Sequence, residues 1–419
     1  MKVIIVGAGI GGLACAIACR QKHLDVLILE QSAEILPVGA GIQIPPNGAR
    51  IMQELGLLPQ LEQKGMKPDC MDLRRYKDGT IITSMPCGES VVKEYGAPWI
   101  VIHRADYHQI LLDKARDLGV EIRLGALVEK VLVDDTAVTV GQETITGDVI
   151  IGADGLWSKV REVVLDEPHL PEETGDLAYR ATFSRAQLSA LNDPEVKALC
   201  EKQGVTAWLG PNKHAVFYPV RGGQEYNLVL LQPDDLPPGV RTTHGDVDEM
   251  RYGYREWDPT LGKMLSCIPT VLKWKLCHLP ELPRWTEGSV TLLGDACHPT
   301  LPYLAQGAAM AVEDGAVLGI LLHHIASSQD YKSKIPQALK LYEDIRKSAT
   351  ARNVQGAIRN RGLFHLDDGI LQRLRDLVLS WSGLTRETDW IGLMASRQRA
   401  VLGFDVLQVV EQRMAELSS

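Results

Sequence analysis

The chain has 419 residues, 45% of them hydrophobic and 23% charged, which is enough for a sizeable core and two or three domains. Its 44 Lys and Arg against 53 Asp and Glu give a formal net charge of −9, so no basic surplus exists to bind nucleic acid or an anionic membrane. No apolar run approaches the ~20 residues of a membrane span, and the N-terminus lacks the apolar stretch of a signal peptide. A cytoplasmic protein is expected.

The eight cysteines are sparse for this length, form no C-x-x-C pair and are not clustered with histidines. We therefore expect free thiols in a reducing compartment and no bound metal.

The first thirty residues predict a β-α-β unit, with strands at 2–6 and 25–29 and a helix at 13–21. Between strand and helix lies a G-x-G-x-x-G motif of Gly7, Gly9 and Gly12. These glycines permit a tight turn, close approach to a pyrophosphate and close helix–strand packing, respectively. Glu30 closes the second strand, where a carboxylate accepts hydrogen bonds from an adenosine ribose. The unit predicts dinucleotide binding.

Farther along, helices are predicted at 45–61 and 105–118, and strands at 71–85, 99–103 and in four short runs between 120 and 151. Residues 176–285 are strand-rich and irregular and indicate a separate mixed module. A buried strand at 291–293 and a long helix at 307–325 resume the first module. Two to four amphipathic helices are expected in the last seventy or so residues.

The predicted fold class is therefore α/β: a Rossmann-type dinucleotide domain with an inserted mixed α+β domain and a C-terminal helical segment. We expect the first domain to be discontinuous, with residues 1–70, 98–175 and 286–345. The inserted domain would hold 71–97 and 176–285, and the helical segment 346–419.

Two further strand-to-turn segments bear on which dinucleotide is bound. One runs from 149 to 155 and carries Asp154, and the other runs from 292 to 299 and carries Asp295, which could bond a ribityl hydroxyl. A simple Asp turn is the alternative for each alone. Together, in this order, they favour FAD over a nicotinamide cofactor.

Four segments carry a resemblance to a known family: GAGIGG at 7–12, GADGLWSKVR at 152–161, GDACHP at 294–299 and LPYLAQGAAMAVEDG at 301–315. The chain resembles the class A single-component FAD-dependent monooxygenases of the para-hydroxybenzoate hydroxylase fold. It is most similar to the salicylate-hydroxylase-like branch and its fungal secondary-metabolism relatives. Beyond the glycines and Asp154, the resemblance implies FAD contacts from Glu30, Ala40, Gly41, Arg104, Asp295 and Ala308. Ala305 stands where many members have Gly.

The nicotinamide reductant is expected to have no permanent binding site. No second G-x-G-x-x-G is present, so NADPH or NADH would bind only transiently, as the resemblance implies. A helix starting at Gly307 or Ala308 would direct its positive end toward a reduced, anionic flavin.

Arg180 and Tyr218 are the candidate substrate residues, since both lie in strand-like runs of the mixed module. An Arg can hold a phenolate or carboxylate, and a Tyr can relay a proton, as in fungal relatives of the resembled family. The alternatives are a surface salt-bridge partner and a sheet aromatic. Pro302 resembles the family proline whose carbonyl faces the oxygenating intermediate, or is simply a proline preceding a helix. Gln43 replaces the His of some hydroxypyridine-oxidising relatives and is no base.

The predicted function is an FAD-, NAD(P)H- and O2-dependent monooxygenase. It would hydroxylate an electron-rich aromatic or enolic small molecule through a flavin C4a-hydroperoxide. Epoxidation or oxidative dearomatisation of an indole or polyketide is an alternative in the same fold. A flavin halogenase is less favoured, because its W-x-W-x-I-P motif and catalytic Lys are missing. A flavin-bearing protein without turnover stays open, since a fold alone does not exclude it.

Overall fold

The computed structural model describes residues 1–36, 39–382 and 399–417. Within them the α-helices are α1 Ile10–Gln21, α2 Pro46–Glu54, α3 Leu58–Lys64, α4 Glu89–Tyr95, α5 Arg104–Asp117, α6 Lys159–Leu165, α7 Arg185–Ser189, α8 Pro194–Glu201, α9 Val247–Gly253, α10 Pro259–Ser266, α11 Gly307–Ala326, α12 Tyr331–Phe364, α13 Ile370–Ser382 and α14 Val406–Arg413.

The strands are β1 Lys2–Val6, β2 Asp25–Leu29, β3 Gly41–Ile44, β4 Cys70–Arg75, β5 Ile81–Pro86, β6 Ile100–His103, β7 Glu121–Arg123, β8 Lys130–Leu132, β9 Ala137–Val140, β10 Glu143–Thr146, β11 Val149–Gly152, β12 Glu172–Ser184, β13 Gly204–Gly210, β14 Lys213–Val220, β15 Glu225–Pro233, β16 Thr242–Gly245, β17 Val271–His278, β18 Thr286–Glu287 and β19 Val290–Leu292.

A six-stranded sheet in the order β18-β19-β11-β1-β2-β7 forms the first half of the molecule. Its strands are parallel except β18, and the central ones are buried runs of β-branched residues, as expected when helices cover both faces. Helices α1 and α11 pack very closely: a Cβ on Gly315 would lie 2.7 Å from the backbone nitrogen of Cys15. The main core lies between this sheet and these helices.

An eight-stranded sheet in the order β16-β17-β12-β15-β14-β13-β4-β5 forms the second half. It is antiparallel except where β13 meets β4. Because side chains alternate across a strand, Tyr179 and Phe217 face a core shared with α8, α9 and α10, while the residues next to them face the opposite side. That opposite side contacts the 301–304 segment of the first half.

Three expectations need correction. The predicted 45–61 helix is two helices, α2 and α3, because Gly56 between them has a φ of +72°. Helix α12 runs without a break from 331 to 364, so the expected segment boundary at 346 falls inside a helix whose Arg346 is buried. Helix α11 is long and apolar enough to cross a membrane by length and composition alone. Since 78% of its most apolar window is buried inside the protein, that is weak evidence for a span.

Candidate active site

The glycine turn between β1 and α1 is shaped by close backbone contacts. Gly7 has a φ of +107°, and a Cβ on Gly12 would lie 2.1 Å from the carbonyl oxygen of Gly7. A Cβ on Gly9, by contrast, would meet nothing within 4 Å, and Gly9 is the N-cap of α1 with no side chain capping the helix. The first N–H groups of α1 therefore remain available to an anion such as a pyrophosphate.

A cleft of about 650 Å³ adjoins this turn and is lined in part by Ala8, Gly9, Glu30 and Arg104. The Glu30 carboxylate accepts hydrogen bonds from the backbone N–H of Ala8 (2.8 Å) and of Ser32 (2.9 Å). The volume is in the range of cofactor sites. The structure thus brings three of the predicted cofactor residues together.

The segment at 39–41 connects this cleft to the second half of the molecule. The carbonyl of Ala40 accepts from the backbone N–H of Arg104 (2.8 Å), and the N–H of Gly41 donates to Oδ1 of Asn227 (2.7 Å). A Cβ on Gly41 would lie 2.5 Å from Cε2 of Tyr218, so only glycine lets the two halves approach this closely.

Asp295 lies in a 3₁₀ turn after β19 and is exposed to solvent, although protein surrounds its carboxylate on most sides. Both observations hold together at the floor of a concave surface. The surrounding protein raises the pKa of Asp295, against the opposing influence of His298 and Arg104. The half-buried Ala308 is in the first turn of α11. That turn has no side-chain cap and no acidic residue. An anion is favoured there.

A buried ionic cluster anchors the turn that carries Asp295. The Asp314 carboxylate accepts from the N–H of Gly294 (3.0 Å) and from Arg346 Nε (2.6 Å), and lies 2.6 Å from His298 Nε2. Arg346 also pairs with Glu313 at 2.7 Å. Burial alone would raise the pKa of Asp314, but His298 and Arg346 hold it below its ordinary value.

The expectation that no cysteine clusters with histidine is wrong at this place. Ligand atoms of Cys297, His298 and Asp314 lie within 4.8 Å of one another. The Asp314 carboxylate is already neutralised by Arg346, so the group is satisfied by protein charges.

Asp154 has a different role in the structure from that of Glu30. Its carboxylate accepts from Ser158 Oγ (2.6 Å) and from the backbone N–H of Lys159 (2.7 Å) and Val160 (3.2 Å). It therefore accepts hydrogen bonds from the free backbone N–H groups at the start of α6. A contact from this carboxylate to a cofactor stays a prediction.

Strand register places Arg180 and Tyr218 on one face of the eight-stranded sheet. Tyr218 of β14 is opposite Asn227 of β15, and Arg180 of β12 is opposite Val229 of the same strand. Asn227 and Val229 are two residues apart, so their side chains share a face. The two candidate residues are therefore diagonal neighbours across β15.

The Arg180 side chain makes no hydrogen bond or ion pair with any described residue, and its Nε is buried without a partner. It is still partly accessible, so the guanidinium faces an opening. Burial lowers the pKa of Arg180, Tyr218 raises it, and Arg104 lowers it further. Arg180 is thus not a surface salt-bridge partner, and an unpaired buried cation points to an anionic ligand.

Tyr218 belongs to the same face, and the residue as a whole is 4% exposed. Burial raises its pKa, although the nearby Arg180 acts in the opposite direction. Tyr218 is therefore a neutral donor at pH 7.

Pro302 begins a 3₁₀ turn that precedes α11, and its carbonyl accepts from the N–H of Ala305 at 3.4 Å. Ala305 has a φ of +54°, a left-handed conformation that favours glycine. Glycine suits that position because it has no Cβ, and alanine there lowers stability through strain at its Cβ.

Sequence reasoning missed Asn227 and Asp176. Both are buried polar residues within β-strands, with exposures of 0% and 1%. A polar residue on the inner side of an apolar alternating run was the available signal.

Residues 1–357 match the family model described as FAD binding domain. The chain belongs to this family. It is 40% identical to the FAD-dependent monooxygenase OpS4 of Beauveria bassiana (strain ARSEF 2860), over 99% of this chain and 97% of that protein. It is 34% identical to the 3-hydroxybenzoate 6-hydroxylase of Polaromonas naphthalenivorans (strain CJ2), over 92% and 93%.

The fold is shared with a salicylate hydroxylase solved as a substrate complex. The TM-score is 0.80 at 23% identity, covering 100% of this chain and 98% of that one. The predicted α/β fold, the FAD-binding family and the class A FAD-dependent monooxygenase type are confirmed.

Proposed function

We propose that this FAD-dependent monooxygenase hydroxylates an electron-rich aromatic or enolic small molecule, using NADPH or NADH as reductant and O2 as co-substrate. The observation that carries the proposal is the unpaired guanidinium of Arg180 beside the buried hydroxyl of Tyr218. Relatives that act on hydroxylated aromatic acids support the same substrate class.

The described residues fit FAD. The open side of Gly9 and the N-terminus of α1 suit the pyrophosphate, and Glu30 suits the adenosine ribose. Asp295, Arg104 and Ala308 would hold the flavin end. When bound there, FAD would supply the hydride-accepting and oxygen-activating chemistry of the reaction.

Arg180 would bind the substrate oxyanion by charge-assisted hydrogen bonds and so favour the ionised form of the substrate, whose ring is richer in electrons than that of the neutral form. Tyr218, which is neutral, would donate a hydrogen bond to that oxygen and supply its proton when the oxygen is protonated. Tyr218 and Asn227 are themselves buried, so water would reach this oxygen only through the opening beside Arg180, which a bound substrate would fill.

We also propose that the six-stranded sheet with its helices is the FAD-binding domain and that β4–β5 and β12–β17 form the substrate domain. Sheet membership supports this division. Because α12 is continuous, the helical segment would begin after 364 instead of at 346. A cytoplasmic location is proposed on the eight free thiols.

The test begins with the purified protein, which should be yellow and release intact FAD on denaturation. A panel of phenols and enols is then supplied with NADPH or NADH, while oxygen uptake and product mass are followed. Substrate-dependent oxygen uptake with a product 16 mass units heavier supports the proposal, as one oxygen atom enters the product. Colourless protein that FAD does not reconstitute, or FAD-loaded protein that converts no panel member, would refute it.

A further inference from the structure

The last turn of α12 lies over the Arg180 face of the eight-stranded sheet. Phe364 packs against the buried cluster that contains Ala178 and Leu231, as Val229 and Leu304 also do. It packs as well against the buried cluster that contains Leu209, as Val216 does. Val216, Val229 and Arg180 are opposite one another in adjacent strands and form one row. The Phe364 ring therefore lies beside the row that holds the unpaired guanidinium.

Accessible apolar surface remains at this place and not in the next row. Val216, Val229, Leu304 and Phe364 are all partly exposed, whereas Leu231 and Ala178 of the neighbouring row are 1% exposed. An opening is thus left beside Arg180, and Phe364 is at its border.

A polar lock holds this turn of α12 against the sheet. Asp176 is 1% exposed and stands four residues before Arg180 on the same face of β12. Its carboxylate accepts from the hydroxyl of Tyr303 (2.9 Å) and from Nη2 of Arg361 (2.7 Å). One carboxylate therefore joins β12, the turn after Pro302 and the end of α12.

A second contact closes the same corner. Nδ1 of His214 lies 2.8 Å from Nε2 of His365, and the Phe364 ring centroid lies 5.6 Å from that of His214 and 6.2 Å from that of Tyr303. Aromatic rings packed at these distances have little freedom to move aside.

We infer that the last turn of α12, from Arg361 to His365, is the selectivity wall of the substrate site. In this wall Phe364 limits the size of the substrate's apolar part, and Asp176 is the positioning residue. The inference rests on the proposed function and names a determinant that lies beyond residue 357, where the family match ends.

The experiment compares kcat/KM for a one-ring phenol, 3-hydroxybenzoate, and a two-ring phenol, a hydroxynaphthoate. Phe364→Ala should raise the two-ring to one-ring ratio about tenfold or more, since pocket size discriminates on this scale. Asp176→Asn should move the ratio in the same direction by less, because it releases Tyr303 and Arg361. Ile358→Ala is the matched control, because Ile358 is a 44% exposed residue of the same helix, and should leave the ratio unchanged.

Equilibrium binding of both phenols, followed by difference absorbance of the bound flavin, gives a second readout that does not need turnover. Phe364→Leu replaces Phe364→Ala if the latter does not fold. If the wild type binds the phenols but the ratio in the Phe364 variant stays within twofold of the wild type, the selectivity wall is refuted and the proposed function stands. A wild type that binds neither these phenols nor any other panel member would overturn the proposed function and the wall with it.

Discussion

Two arginines that lie deep in this protein differ in whether their charge is paired. Arg346 of α12 is 0% exposed and is paired with both Glu313 and Asp314. Arg180 of β12 is also surrounded by protein, yet no described side chain pairs with it. The first arginine joins α11, α12 and the turn before Cys297, and the second faces an opening on the sheet.

The difference distinguishes an arginine that stabilises the fold from one that is available to bind a ligand. A buried charge is costly unless it is compensated within the fold, so a fully paired arginine serves the folded chain itself. An arginine left without a partner lowers stability. At Arg180 the proposed substrate oxyanion would complete the pair.

The largest expected effect is on turnover. Arg180→Ala should keep full FAD content yet lower product formation by a factor of ~10² to 10⁴, because the substrate oxyanion loses its cation. Unfolding midpoints should be equal to the wild type or higher. Product per NAD(P)H consumed is the measurement, with Tyr218→Phe as companion variant; product yield within twofold of wild type in both would remove these residues from the mechanism.

The opposite pattern is expected at the paired arginine. Arg346→Ala should lower the free energy of unfolding by about 3–5 kcal/mol, since two buried carboxylates lose their partner. Denaturant titration measures the effect, and Arg359→Ala, at an exposed position of the same helix, is the control. A loss below 1 kcal/mol would mean that Arg346 does not compensate these carboxylates.

An intermediate effect is expected from pH at the His214–His365 pair. Burial lowers the pKa of His365 to about 4 and that of His214 well below its ordinary value. In the unfolded chain both histidines are protonated as the pH falls below about 6.5, whereas in the folded chain they are protonated only at lower pH. Stability should be complete above pH 6.5 and fall toward pH 4, by an amount on the order of 1–3 kcal/mol.

Denaturant titrations at several pH values test this expectation. His365→Gln, which keeps a polar side chain, should flatten the dependence over that window. An equally steep dependence in the variant would assign it to other groups.

The smallest effect is expected at Ala305, in the turn that precedes α11. Ala305→Gly should raise the free energy of unfolding by up to ~1 kcal/mol, because the left-handed φ no longer strains a Cβ while glycine adds some unfolded-state entropy. Thermal unfolding measures it. A lower melting temperature in the glycine variant would show that the strain is negligible.

Much of the first half could be predicted from sequence because its signals are local. Gly7, Gly9 and Gly12 stand within six residues, and Glu30 ends the adjacent strand. Such short spacings define the turn and strand ends directly, so the fold and the FAD-binding family were predicted and are confirmed.

The second half was predictable only in part, because its site is assembled across strands. Arg180 and Asn227 come to share one face of the sheet through the register of β12 and β15, which one sequence does not specify. The lock of Asp176 with Arg361 joins residues 185 positions apart. The cofactor and substrate roles of the candidate residues therefore remain predictions, even where the structure brings them together.

The close contact of α1 with α11 has a consequence for how this molecule can be modified by evolution or by an engineer. The two helices begin at Ile10 and Gly307 and touch where Gly315 meets Cys15, so a shift of one displaces the other. Changes in β12, β14, β15 or the end of α12 leave that pair untouched. New substrate ranges should therefore be accessible by altering one half, while the half proposed to bind FAD is kept unchanged.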